Sequence, residues 1–224
     1  MLTKDDPRYW APFPEMRAYV AKQIPENAKV LEIGALHVPF ERSTHFVDYV
    51  YDPKIDNVVC DVTCQPLPFE DKSFDFVYCR HVVEDLVYPH FALKEMSRVA
   101  KAGYIETPSV AAELCRGIDA TSPPWRGFHH HNWFVANEEG VLKLIRKYPL
   151  VEHWDFDEER ITEMLHYPLY WNTYLLWQEE IPWMEVEVHP LQAQAPIVKA
   201  MHAGFASANA FAAEVSAGTR HQAA

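Results

Sequence analysis

Short apolar runs that end at glycine, aspartate or proline recur through the first half of the chain. Runs of this kind predict buried strands that stop at a turn residue. The five predicted strands cover residues 29–34, 46–51, 57–60, 74–79 and 103–107. Apolar residues recur at helical spacing from Phe13 to Ile24 and from Pro89 to Lys101, with a proline suited to each first turn. Alternating strands and helices predict an α/β fold with a mainly parallel sheet.

The pattern is less regular in the second half of the chain. It predicts helices near 110–116 and 138–147 and strands near 151–156 and 181–188. A helical stretch and the aromatic run Tyr167–Trp177 lie between those two strands. The Ala-rich segment 195–213 predicts a C-terminal helix that packs on the sheet or on a second subunit.

Composition narrows the class of protein. The 224 residues are 49% hydrophobic and 23% charged, as in an ordinary globular protein. No apolar stretch approaches the ~20 residues that span a bilayer, and the N-terminus has no apolar leader, so we expect a cytoplasmic protein. The formal net charge of −12 disfavours nucleic-acid and membrane binding, because an acidic surface repels phosphates.

Polar residues follow the predicted strands at the places where parallel sheets bind ligands. Gly34 ends the first strand, Asp52 follows the second, and Asp61 follows the third. A carboxylate after the second strand typically holds both hydroxyls of a ribose, and a glycine allows a ligand to approach the backbone. This order predicts a nucleoside-containing cofactor. The alternative is that both aspartates are turn and cap residues.

Four segments carry a resemblance to a known family: VLEIGALHVPF, FVDYVYDP, CDVTCQPLPFEDKSFDFVYCRHVVEDL and LKEMSRVAKAGYIETPS. Together they resemble class I S-adenosylmethionine-dependent methyltransferases of the small bacterial type with an LPF.D.SFD motif. The resemblance covers about residues 29–108. It implies S-adenosylmethionine as cofactor and a doubly wound, Rossmann-like, seven-stranded sheet. The last strand would be antiparallel and supplied by 181–188.

The resemblance also implies a role for each matching residue. The methionine end of the cofactor would lie near Glu32, Gly34 and Ala35, and the ribose near Asp52 and Pro53. The adenine would lie against Asp61 and Val62, and the methionine carboxylate and sulfonium near Cys79 and Arg80. The chain departs from the family's GxGxG pattern, because Gly34 is the only glycine in GALHVP. We expect His37 to cap the following turn. NAD is disfavoured, because a pyrophosphate needs the glycine-rich turn.

The second half is expected to supply a substrate pocket under an aromatic lid built from the N-terminus and residues 121–177. Aromatic rings attract a sulfonium, so we assign catalytic roles to Tyr9, Trp133 and Tyr174, with Trp10 beside them. The alternative is core packing, since Tyr170, Tyr174 and Trp177 would share one helical face. The predicted division is a cofactor domain over 1–190, with lid elements in 1–25 and 121–180, and a helix and tail over 191–224.

Histidines follow one another at positions 129–131. Neighbouring side chains on an extended chain point in alternating directions, so we expect no metal site. His131 is instead predicted to be a general base, with a plain polar loop residue as the alternative.

The predicted function is methyl transfer from S-adenosylmethionine to a small molecule, and a protein acceptor stays open. One alternative is cyclisation of S-adenosylmethionine itself to azetidine-2-carboxylate and methylthioadenosine, as in azetidine-carboxylate synthases, which resemble methyltransferases. Another is a non-catalytic cofactor-binding relative. Oligomerisation through the C-terminal helix also stays open.

Overall fold

A twisted sheet flanked by helices forms the centre of the computed structural model, which describes residues 14–35, 38–119, 121 and 123–220. The helices are α1 (Pro14–Gln23), α2 (Pro89–Val99), α3 (Val110–Leu114), α4 (Glu158–Met164) and α5 (Gln194–Arg220). The strands are β1 (Val30–Ile33), β2 (His45–Asp48), β3 (Val58–Val59), β4 (Phe76–Arg80), β5 (Ala102–Pro108), β6 (Trp133–Glu138), β7 (Val141–Arg146), β8 (Asn172–Gln178) and β9 (Trp183–Glu185).

The main sheet has the strand order β3-β2-β1-β4-β5-β8. Every pairing in it is parallel except that of β5 with β8, so the predicted α/β fold with a mainly parallel sheet is confirmed. The chain runs outward from β1 to β3 on one side and from β4 to β5 on the other, which puts a topological switch point between β1 and β4. The seven-strand count is not confirmed, because the described residues give this sheet six strands.

The predicted helices over 13–24, 89–101, 110–116 and 195–213 are confirmed as α1, α2, α3 and α5, and α4 lies in the helical stretch predicted before the aromatic run. In α2 the apolar residues Ala92, Leu93, Met96 and Val99 form the buried face. The long helix α5 packs on the rest of the chain, because Met201 joins one hydrophobic cluster and Phe211 joins another that includes α1. Oligomerisation through α5 and a division at residue 190 stay predictions.

The predicted helix over 138–147 is wrong. Strands β6 and β7 form an antiparallel hairpin there, and β9 pairs with β7 to complete a second sheet. The two residues of the hairpin turn, Glu139 and Gly140, have φ angles of 53° and 83°. Positive φ at both central positions is the geometry of a tight hairpin turn. An apolar run on each side of this turn was the signal for a hairpin in the sequence.

The antiparallel edge strand was assigned to the wrong segment. It is β8, from the aromatic run that was expected to be partly helical, whereas residues 181–188 contribute only β9 to the second sheet. The predicted strand over 151–156 is also wrong, because Pro149–His153 is a short 3-10 helix. Tyr174 and Trp177 do not share a helical face; they lie on opposite faces of β8, in different hydrophobic clusters.

The aromatic lid is not confirmed. Trp133, Trp171, Tyr174 and Trp177 are each at most 4% exposed and pack in the hydrophobic clusters. Burial of large rings explains their abundance, since each ring contributes much apolar surface to a core.

Among the described residues, no helix is both long enough and apolar enough to cross a membrane.

Candidate functional site

A cavity of about 310 Å³ opens at the carboxyl ends of β1 to β4, beside the switch point. In open α/β sheets this is the position where ligands bind. The side chains and backbone that line it include Gly34, Asp48, Asp61, Thr63, His81 and Asp85. The volume lies near the lower end of the ~300–1,000 Å³ of small-molecule sites.

Gly34 brings the backbone of the first strand directly to this cavity. Its φ of 83° is in the left-handed region, which strains any residue with a side chain. A Cβ at this position would also lie 2.4 Å from Cγ2 of Val82. The glycine is therefore required by both backbone conformation and packing.

Two aspartates reach the cavity from neighbouring strands. Asp48 is the last residue of β2, and its carboxylate oxygen Oδ1 accepts a hydrogen bond of 2.7 Å from the amide of Tyr49. The amide of Cys60 donates to the carbonyl of Asp48 over 2.9 Å, which places Asp61 next along the edge. Hydrogen bonds from Thr63 lower the pKa of Asp61 below its ordinary value, so this carboxylate is ionised at neutral pH.

Of the predicted cofactor-binding residues, Gly34, Asp61 and Val62 line the cavity, and Asp52 and Pro53 do not. Asp52 lies in the next turn, where its Oδ1 accepts from the amide of Lys54 over 2.9 Å. The residue that the sequence reasoning missed is Asp48. Asp48 falls inside the predicted strand 46–51, whereas β2 ends at Asp48. Choosing the residue after the predicted strand therefore selected Asp52, four positions too late.

The other predicted cofactor-binding residues, Glu32, Ala35, Cys79 and Arg80, do not line the cavity. Glu32 is buried, and its Oε2 accepts from the amide of Phe40 over 2.8 Å, which holds the segment after β1. Burial raises the pKa of Glu32. Ala35 and Cys79 are buried in the protein interior. Arg80 donates from Nε to Oε1 of Glu106 over 3.0 Å.

The predicted catalytic residues are dispersed. Tyr9, together with Trp10 and His37, lies outside the described residues. The indole Nε1 of Trp133 donates to the carbonyl of Leu86 over 2.7 Å, and the guanidinium of Arg146 lies 5.0 Å from its ring centroid. Tyr174 faces the opposite side of the sheet, where it stacks on Phe211. None of the described residues among these three lines the cavity.

His131 is the predicted catalytic residue that lies next to the cavity wall. Its Nδ1 is 2.7 Å from Oε1 of Glu113, and its Nε2 is 3.5 Å from Oδ1 of Asp85. Burial alone would raise the pKa of Glu113, but Lys147 and His131 lower it to about 2. Burial alone would lower the pKa of His131, whereas Glu113 raises it above its ordinary value.

Two further side chains near His131, Glu84 and His81, have strongly shifted pKa values. Burial raises the pKa of Glu84 to about 8, and neither of its oxygens has a hydrogen-bond partner among the described residues. His81 has a φ of 53° and a pKa well below its ordinary value because of burial. Its Nε2 is 3.1 Å from Oδ1 of Asn172. Burial also raises the pKa of Asp85. The neutral imidazole of His81 and the protonated carboxyl of Glu84 at pH 7 therefore lie beside Asp85 and His131.

A second cavity of about 290 Å³ lies on the other side of His131. Trp125, Tyr148, His129 and Lys147 contribute to its lining together with His131. Asp85 lines the first cavity and His131 lines the second. The 3.5 Å contact between these side chains therefore joins the walls of the two cavities.

The premise behind the expectation of no metal site is wrong. His129 and His130 lie in a turn, not on an extended chain. As a result Nε2 of His130 and Nε2 of His131 both approach Oδ1 of Asp85, at 3.6 and 3.5 Å.

Comparison with known proteins gives a partial match. Residues 12–105 match a family model described as a methyltransferase domain, which covers less than half of the chain. No curated protein matches the chain.

The chain is similar in part to several solved structures. An S-adenosylmethionine-dependent methyltransferase from Thermotoga maritima is 25% identical over 45% of this chain and 52% of its own, with a TM-score of 0.34. One from Mesorhizobium loti is 16% identical over 49% and 60%, with a TM-score of 0.35. A protein from Pyrococcus horikoshii is 18% identical over 50% and 62%, with a TM-score of 0.40. The chain thus spans less than two thirds of the length of each of them.

The family match supports a methyltransferase domain in residues 12–105. S-adenosylmethionine is the cofactor that this match supports, and the residues of the first cavity fit it. Within the described part of the chain, the lining contains three carboxylates and neither lysine nor arginine. Carboxylates accept hydrogen bonds from hydroxyl and amine groups and attract a sulfonium cation.

Proposed function

We propose that this protein transfers a methyl group from S-adenosylmethionine to a small-molecule acceptor. One observation carries the proposal: residues that follow or end three successive parallel strands, Gly34, Asp48 and Asp61, line a single cavity at the switch point. When bound there, S-adenosylmethionine supplies an electrophilic methyl group on a sulfonium. The observation concerns the cofactor cavity, and both the small-molecule acceptor and methyl transfer as the reaction are proposed.

Asp48 takes the role that the sequence assigned to Asp52. It ends the strand next to β1, and a carboxylate there can accept hydrogen bonds from both ribose hydroxyls. Asp61 and Val62 would hold the adenine, with the carboxylate accepting from the exocyclic amine. Gly34 would let the methionine end approach the backbone without a side chain in the way.

The charge of the cavity favours this cofactor over one with phosphates. Asp48, Asp61 and Asp85 are acidic, and a pyrophosphate among them would be repelled. A phosphate site would instead need backbone amides at a glycine-rich helix start or a basic side chain.

The acceptor would bind in the second cavity, on the far side of Asp85 and His131. Methyl transfer needs an in-line approach at about 3 Å more than it needs chemical groups from the protein. Asp85 and His131 stand at the boundary between the two cavities, so they would orient the acceptor. Catalytic roles for Tyr9 and Tyr174 stay predictions, and the ring of Tyr174 stacks on Phe211 outside the first cavity.

The test is incubation of the protein with S-adenosylmethionine, alone and with candidate acceptors, followed by mass spectrometry. Formation of S-adenosylhomocysteine only when an acceptor is present would support the proposal. Methylthioadenosine without any acceptor would replace it with cyclisation to azetidine-2-carboxylate. Tight binding of S-adenosylmethionine without turnover across the acceptors would favour a non-catalytic relative, and no binding would overturn the cofactor site.

A further inference from the structure

Three side chains with metal-ligating atoms converge beside the first cavity. Oδ1 of Asp85 lies 3.6 Å from Nε2 of His130 and 3.5 Å from Nε2 of His131. These three atoms all lie within 4.8 Å of one another. Two imidazoles and a carboxylate form a common ligand set for zinc and for iron(II).

The spacing agrees with tetrahedral coordination. With zinc–nitrogen and zinc–oxygen bonds of about 2.0–2.2 Å, neighbouring ligand atoms are about 3.4 Å apart. The two distances from Asp85 differ from this value by no more than about 0.2 Å. The remaining distance is the one between Nε2 of His130 and Nε2 of His131. The His130 ring is 53% exposed, so rotation of this ring can bring the two nitrogens to the spacing that zinc needs.

The buried histidine is held in the orientation that a metal ligand needs. Nδ1 of His131 lies 2.7 Å from Oε1 of Glu113. The ammonium of Lys147 donates to the other oxygen, Oε2. A carboxylate in this ion pair only accepts, so Nδ1 of His131 carries a proton toward Glu113 and Nε2 is the nitrogen left to face a metal. Metal binding at Nε2 would displace the proton that this nitrogen carries when the ring is charged. A carboxylate behind a ligating histidine is a common feature of zinc sites, where it orients the ring and raises its basicity.

We propose that Asp85, His130 and His131 bind one divalent transition-metal ion, with zinc as the best match to the ligands and spacing. Three protein ligands leave at least one coordination position open, as in catalytic zinc sites. Because Asp85 lines the first cavity and His131 the second, an acceptor oxygen or nitrogen at that position would sit between them. The statement about the acceptor rests on the proposed function, whereas the metal site does not.

A neighbouring cluster provides a natural control. Asp119, His129 and His130 also bring three ligand atoms within 4.8 Å of one another. There, however, Oδ1 of Asp119 accepts from both the amide and the hydroxyl of Thr121, and its Oδ2 lies 3.1 Å from Nδ1 of His129. This cluster shares His130 with the proposed site but has a different carboxylate and a different second histidine.

The first experiment measures zinc binding by the chelator-treated full chain, in the absence of S-adenosylmethionine, by calorimetry and elemental analysis. We expect one zinc ion per chain. Cobalt(II) should compete for the same site and give the visible absorption bands of a four- or five-coordinate ion. Binding well below one ion per chain, or cobalt bands of a fully hydrated ion, would overturn the proposal.

Variants then assign the ligands. Asp85→Asn and His130→Ala change exposed side chains and should each weaken zinc binding at least tenfold. The matched controls, His129→Ala and Asp119→Asn, should keep the wild-type affinity to within twofold. Glu113→Gln should weaken binding by roughly 10–100-fold through the orientation of His131, provided that its melting curve shows a folded protein.

If His129→Ala and Asp119→Asn abolish binding while Asp85→Asn does not, the metal belongs to the neighbouring cluster and the proposal is wrong. S-adenosylmethionine binding is measured separately, on the chelated protein. A chain that binds S-adenosylmethionine but not zinc would contradict only the metal site, and the reverse result would contradict only the proposed function.

Discussion

Gly34 and Val82 meet where β1 and β4 end, so closely that a Cβ on Gly34 would lie 2.4 Å from Cγ2 of Val82. Gly34 directly follows β1 and Val82 lies two residues beyond β4, and these two strands are neighbours in the sheet at the switch point. Both residues line the first cavity, and the lack of room for a Cβ explains why a side chain at position 34 would clash.

Gly34→Ala should therefore destabilise the protein for two reasons. The left-handed φ costs an alanine roughly 1–2 kcal/mol, and overpacking against Val82 adds roughly 1–3 kcal/mol. Gly140→Ala is the matched control, because Gly140 has the same φ of 83° and, apart from its chain neighbours, no described residue has an atom within 4 Å of its Cβ position. Urea unfolding should show the larger loss for Gly34→Ala, and adding Val82→Ala should recover part of the difference. Equal losses at the two glycines would contradict the packing explanation.

Asp48→Asn should weaken S-adenosylmethionine binding by at least about tenfold. Asparagine keeps the shape but loses the charge that strengthens hydrogen bonds from the ribose, which are worth roughly 1.5–3 kcal/mol to a charged group. Asp52→Asn changes the turn outside the cavity and should leave the affinity within about twofold. Calorimetric titration of both variants with S-adenosylmethionine checks the assignment. A larger loss of affinity in Asp52→Asn than in Asp48→Asn would mean that Asp52 binds the ribose.

Trp133→Phe should lower stability without discriminating between the cofactor and its product. The substitution removes the bond from Nε1 to the carbonyl of Leu86 and leaves a buried acceptor unpaired, at a cost of roughly 1–3 kcal/mol. Arg146 already lies over the indole ring, so we expect S-adenosylmethionine and S-adenosylhomocysteine to lose affinity equally. Calorimetry with both ligands measures this. A selective loss for S-adenosylmethionine would instead support the cation–π role predicted from the sequence.

Lys147→Met should destabilise the fold by roughly 3–5 kcal/mol, because it leaves the buried carboxylate of Glu113 without its cation. The ammonium also donates to the carbonyls of Arg126 and Phe128, at 3.0 and 2.8 Å. Lys143→Met is the control, since Lys143 pairs with the partly exposed Glu138 at 3.7 Å and such pairs contribute at most about 1 kcal/mol. Chemical denaturation should separate the two variants clearly, and similar small losses would mean that Glu113 is satisfied by His131 alone.

The first half of the fold was predictable because its signals are local. The strands β1 to β5 are short apolar runs with turn residues at their ends, and α2 has a clear apolar face. Strands β1, β4 and β5 are almost wholly buried, so their apolar pattern reports the environment directly, whereas the short strand β3 at the edge of the sheet is exposed. The same pattern placed Gly34 and Asp61 at the edge where they line the cavity.

Predictions failed where the same residues suit two structures. The segment 141–146 has apolar residues at spacings that a helix also accepts, yet it pairs with β6 after a two-residue turn. The aromatic segment 172–178 became the antiparallel edge strand because β5 offered it a pairing surface. Tertiary pairing decides such cases, since local propensity differences are small.

The sequence by itself determined the class of fold, the edge of the sheet that carries the site and the acidic character of that edge. Only the tertiary structure decided that β2 ends at Asp48, so that this residue and not Asp52 reaches the cavity. Only the tertiary structure brought Asp85, Glu113 and His131 together from three separate segments. The physical reason is that the end of a strand and the partner of a buried charge are set by groups distant in the chain, which the local pattern of residues does not record.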